Sequence, residues 1–125
     1  MLSFPPSPQV KIFVCREPVD MRKSFDGLSA VVVNVVDHDP QSGHLFVFFN
    51  KRKNRMKALV YEPTGCWVLA KRLAAGRFQI FDRVGADKGR FEVTASELAL
   101  ILDGIDLRSL RRQAARREVR SILTT

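Results

Sequence analysis

At 125 residues with 46% apolar side chains, the chain has the size of one domain with one modest core, and a second folded domain is not expected. No apolar run reaches the length of a membrane span, and Met1-Leu2-Ser3-Phe4-Pro5-Pro6 has neither the charged nor the apolar region of a secretory signal, so the protein reads as cytoplasmic, with no membrane partner. The net charge of +8 is concentrated: residues 51–57 hold five basic and no acidic side chains, and residues 108–125 hold six arginines against Glu118. Each segment contributes +5, so the remainder carries −2. Confined positive charge is the footprint of a protein that neutralises phosphates, which suggests nucleoid association.

In chain order, the first nine residues carry three prolines and read as an extended lead-in. Lys11-Ile12-Phe13-Val14-Cys15 is a short strand-like run. Asp20 is a candidate helix N-cap, and Met21, Phe25, Leu28, Val32 and Val35 follow at helical spacing, predicting an amphipathic helix near residues 21–36. Gly27 and the β-branched run Val31-Val32-Val33 count against that helix. The breaker-rich segment Asp37–Gly43 ends it.

Leu45–Phe49, Met56–Tyr61 and Trp67–Leu73 are three strands joined by the basic turn and by Pro63-Thr64-Gly65, an antiparallel meander. Arg90-Phe91-Glu92-Val93 suggests another strand. Thr94-Ala95-Ser96-Glu97 is a capping box opening a short helix over 95–102, with Leu98, Ile101 and Leu102 on one face and Asp103-Gly104 as its stop. The expected fold is therefore α+β: an antiparallel sheet covered by an amphipathic helix, with a short C-terminal helix. Residues 1–107 form the expected domain and 108–125 an arginine-rich tail.

The candidate contact residues follow from the charge. Lys51, Arg52, Lys53, Arg55 and Lys57 suit a hairpin tip laid on a DNA backbone, with Asn54 able to bond a phosphate or a base edge; the alternative is a solvated turn that keeps an apolar hairpin soluble. Arg22 and Lys23 fall in the first turn of the expected helix, where a phosphate would be welcome, or else Arg22 pairs with Asp20 or Asp26. Lys71 and Arg72 point to opposite faces of their strand, so at most one of them, here taken as Arg72, shares a surface with Lys57. In the tail, Arg108, Arg112, Arg116 and Arg120 recur every fourth residue, joined by Arg111 and Arg117. Trp67 reads as core, with a base-stacking platform as the alternative.

Chemistry-bearing residues are sparse. Cys15 and Cys66 lie far apart in apolar strands and read as buried thiols. Asp20, Asp26, Asp37, Asp39 and Glu62 mostly sit at caps and turns, and His38 and His44 flank a Pro-Gly turn, which leaves a metal-dependent nuclease as the minor alternative. No P-loop, Gly-x-Ser-x-Gly, Cys-x-x-Cys or His-Glu-x-x-His occurs. Neither catalysis nor a cofactor or metal is expected.

Several segments jointly resemble the small accessory protein, TnpB or Orf2, of the bacterial IS66 class of insertion sequences. They are Pro18-Val19-Asp20-Met21-Arg22-Lys23, Phe25-Asp26-Gly27-Leu28, Gly43 with Phe46-Val47-Phe48, the basic stretch to Lys57, Gly65, Lys71-Arg72-Leu73, Gly76-Arg77-Phe78 and Leu102-Asp103-Gly104-Ile105. Three features depart from that pattern: Lys51 replaces an arginine, Gln79-Ile80 replaces Trp-Pro, and the tail is an extension. The resemblance implies a non-catalytic helper of transposition beside a separate transposase. It implies transposon ends or nonspecific duplex as the DNA. The other class of reading is an interaction module that binds the transposase, or its own copy as a homo-oligomer, without touching DNA.

Overall fold

The computed structural model describes residues 9–80 and 89–104. Its centre is the run Leu45–Phe49, strand β2, all five residues of which are buried. A strand without polar alternation needs cover on both faces, and β2 has it. Ile12–Cys15 forms β1, Arg55–Glu62 β3, Gly65–Arg72 β4 and Arg90–Val93 β5, in the sheet order β4-β3-β2-β1-β5. The meander is present: β2 pairs antiparallel with β3, Phe46 opposite Leu59, and β3 with β4, Lys57 opposite Ala70. One pair departs from the antiparallel expectation. β1 and β2 run parallel, Ile12 beside Leu45, because the chain between them returns through a helix.

Among the described residues each face of the sheet carries one helix. On one face Leu28, Val32 and Val36 pack on Phe13, Phe46, Phe48 and Leu59, with Val19 and Met21 closing the edge. On the other, Leu98, Ile101 and Leu102 of α2 (Ala95–Leu102) pack on Ile12, Val14, Val47, Ala58, Phe91 and Val93. The capping box is formed: Glu97 N–H donates to Thr94 Oγ1 at 3.1 Å, and Thr94 N–H to Glu97 Oε1 at 3.0 Å. At the other end of α2 the Lys71 ammonium donates to the Leu102 carbonyl at 2.7 Å.

The first helix differs from its expectation at both ends. Asp20 does not cap it: the Asp20 carboxylate accepts from Arg22 N–H at 2.9 Å and its carbonyl from Lys23 N–H at 3.1 Å, forming a local turn. The helix, α1, spans Phe25–Val31 with Ser24 at its N-cap, so Arg22 and Lys23 precede it. Met21 is buried from that turn, and Phe25 is half exposed. Val32–Val36 continue as a π-helical turn, which keeps a four-residue spacing on the buried stripe and places Val36 inward where a regular helix would place Val35. Asp37, with φ +57°, ends it, and the Arg90 guanidinium donates to the Val36 and Asp37 carbonyls at 2.7 and 2.8 Å. Gly89 is required beside that end, since a Cβ there would lie 1.7 Å from the Val35 carbonyl oxygen.

Trp67 is not core. It lies on β4, at the edge of the sheet among the described strands, and is half exposed because α2 does not reach across to it. Cys15 is buried as expected and Cys66 half-buried; both thiols are free. Burial pushes both thiols above their ordinary pKa.

Candidate nucleic-acid interface

The turn between β2 and β3 is held from within by Asn50. Its side-chain oxygen accepts from the backbone N–H of Asn54 at 3.1 Å and of Arg55 at 3.0 Å, and its Nδ2 donates to Asn54 Oδ1 at 2.7 Å. Lys53 adopts φ +56°. The turn is also held from the side: Leu73 N–H donates to the Asn54 carbonyl at 2.9 Å, and Phe78 N–H to the Lys53 carbonyl at 2.6 Å. Buried Phe78 rests against Phe49, ring centroids 5.3 Å apart, and anchors this second strap. The basic turn is thus a fixed platform. Asn54 spends its side-chain oxygen on fixing it.

Lys51, Arg52, Lys53 and Arg55 are exposed on this platform. Lys51, Arg52 and Arg55 face Arg22 across an open groove of about 470 Å³ floored by Pro18, Val19 and Met21. Asp20 is the acid in the groove, and it is engaged: Arg22 Nη2 lies 2.6 Å from its Oδ2. Those hydrogen bonds from Arg22 hold the Asp20 carboxyl at a pKa of about 2 and raise that of the guanidinium. Of the two sequence-based options for Arg22, pairing with Asp20 is the one present. Lys53 faces the neighbouring hollow formed with Arg16, Glu17 and Ile80.

Two further cations, Lys57 and Arg72, continue from Arg55 along the α1 face of the sheet. Arg55 and Arg72 are directly opposite one another on β3 and β4, on the same face as Lys57 and Leu59. Like charges in that position destabilise a sheet unless an anion lies between them. Among the described residues neither arginine has a carboxylate partner. The Lys57 ammonium donates to the Lys23 carbonyl at 2.7 Å, tying the row to the segment before α1. Lys71 faces α2, so the division between Lys71 and Arg72 is as the alternation implied. Arg108, Arg111, Arg112, Arg116, Arg117 and Arg120 lie outside the described residues.

His38 and His44 pack around Phe13, at centroid distances of 4.9 and 5.8 Å. His44 Nδ1 accepts from Lys11 N–H at 3.0 Å. Among the described residues no three of His, Cys, Asp and Glu are grouped to hold a metal ion, and no helix is long and apolar enough to cross a membrane. Sequence reasoning missed Asn50 as organiser of the turn, although the spacing Asn50 to Asn54 across a basic run carried the signal. It also missed the exposure of Phe25 and Trp67.

Fold and site together define a small α+β domain with a rigid cationic end. The chain matches the family described as IS66 Orf2 like protein over residues 10–112, and it belongs to that family. It is therefore an accessory protein of insertion-sequence transposition and not an enzyme. Among its relatives are two from Sinorhizobium fredii. The uncharacterized protein y4jC is 32% identical over 112 residues, covering 90% of this chain and 93% of that one. The uncharacterized protein y4hO is 30% identical over 104 residues, covering 83% and 88%. No solved structure matches the chain.

Proposed function

We propose that the protein assists transposition by binding DNA, at transposon ends or as nonspecific duplex, through the basic platform, while the arginine tail supplies further nonspecific affinity. In this reading residues 1–107 position the protein, residues 108–125 act as a separate cationic arm, and the working location is the nucleoid. The observation that carries it is the convergence of Arg22, Lys51, Arg52 and Arg55 on one groove, continued by Arg72 opposite Arg55. A fixed turn presents those charges without an ordering cost at the moment of binding. The transposase of the same element is the protein partner.

A second reading, an interaction module that binds the transposase or its own copy without DNA, is favoured by the half-exposed Trp67 on edge strand β4. Fluorescence anisotropy on end-sequence and random duplexes across several salt concentrations, beside a transposase pull-down without DNA, separates the two. Five phosphate contacts give a slope of log affinity against log salt of about −4 to −5. Transposase capture with no DNA affinity, or a response flat in salt, would establish the second reading instead.

A further inference from the structure

Among the described residues three large apolar side chains are markedly exposed: Phe25 at 46%, Val33 at 54% and Trp67 at 48%. The two aromatic ones stand on opposite faces of the sheet. Trp67 is opposite Val60, which belongs to the α2 face. Phe25 opens α1, on the other face, and stays out of the buried stripe Leu28, Val32, Val36.

The α1 face is also the one that carries the cations. Arg55, Lys57 and Arg72 project from it, Arg72 beside Arg55 on the neighbouring strand. The Lys57 bond to the Lys23 carbonyl fixes this row two residues before Phe25. The Lys23 stem lies back along the helix, close enough to Gly27 that a Cβ there would meet its Cβ at 3.1 Å. An uncovered ring therefore stands on the same face as a row of positive charge, while the face that exposes Trp67 commits its Lys71 to the end of α2.

We infer that Phe25 is a base-stacking platform for single-stranded DNA, with Arg55, Lys57 and Arg72 neutralising the phosphates that flank the stacked base. Every base has an apolar π-face, so stacking on an aromatic ring between backbone contacts binds single strands with little regard to sequence. A duplex hides those faces inside its stack, so the ring adds nothing to duplex binding. The inference rests on the nucleic-acid reading of the same basic end and adds to it the strand state that the site takes.

The test is anisotropy of the full chain on a labelled short oligothymidylate and on a duplex. Phe25→Ala is expected to weaken oligothymidylate binding by at least about fivefold, the lower bound for one stacked base, with duplex affinity unchanged. Phe25→Trp is expected to restore it, and Trp67→Ala to alter neither. Because Phe25 lies outside the core, the variants fold, and circular dichroism checks this. Unchanged oligothymidylate binding by Phe25→Ala, or an equal loss on single strand and duplex, overturns the stacking role. A wild-type chain that binds duplex alone removes this inference and leaves the duplex reading standing; one that binds neither removes both.

Discussion

Asp20 is the single acid among the described residues that line the groove, and its bidentate hold on Arg22 decides how much of that guanidinium is open to a ligand. With its carboxyl held at about 2, Asp20 is charged at every working pH. Asp20→Asn releases Arg22 and adds one net positive charge. The expected outcome is tighter duplex binding with a salt slope steeper by about one, read by anisotropy. His44 makes a separate prediction about stability. Burial first, then the charges of His38 and Lys11, lower its pKa, and its Nδ1 lone pair accepts the Lys11 N–H. The folded state then binds fewer protons than the unfolded chain, so stability present above about pH 6.5 is lost as the pH falls towards the lowered value. Urea midpoints should drop between pH 7.5 and 5.5, and His44→Gln should flatten that dependence. Lys51, Arg52 and Arg55 were legible as residues because two apolar runs bracket them. The engagement of Asn54 went unread, although the spacing from Asn50 across the turn carried its signal.

At the scale of elements, the strands and α2 were legible and α1 only in part. The capping box Thr94–Glu97 is a local arrangement, complete within four residues, and it formed as spaced. Asp20 had a competing local use, a turn with Arg22 and Lys23, and that turn delayed α1 to Phe25. The β-branched run that weakened the helical reading coincides with its π-helical end, where packing on the sheet overrides propensity. Trp67 escaped because alternation along a strand does not say whether the strand is central or at the edge. The pairing of β3 with β4 also sets function against stability. Arg55 opposite Arg72 is a like-charge pair, so Arg72→Glu should stabilise the fold by about 0.2–1 kcal/mol and at the same time weaken DNA binding. Urea titration and anisotropy on the same variant check both directions.

At the scale of the whole molecule, the described residues form three layers, with two helices on opposite faces of the sheet and one end of it left to the loops at 18–24, 50–54 and 73–78. That end gathers Arg22 with a turn some thirty residues further along the chain, a convergence that no local pattern reveals. The parallel pair β1–β2 was equally hidden, because a sequence does not show which strands are neighbours. What the charge distribution did convey was that the positive excess is confined, and the fold gives the part at residues 51–57 a rigid setting. The direct test of DNA binding by this end is the triple variant Lys51→Glu, Arg52→Glu, Arg55→Glu, compared with wild type on duplex DNA over a range of salt after folding is verified. A large loss of affinity together with a salt slope shallower by about three is expected. Unchanged affinity and slope in a folded variant would contradict it.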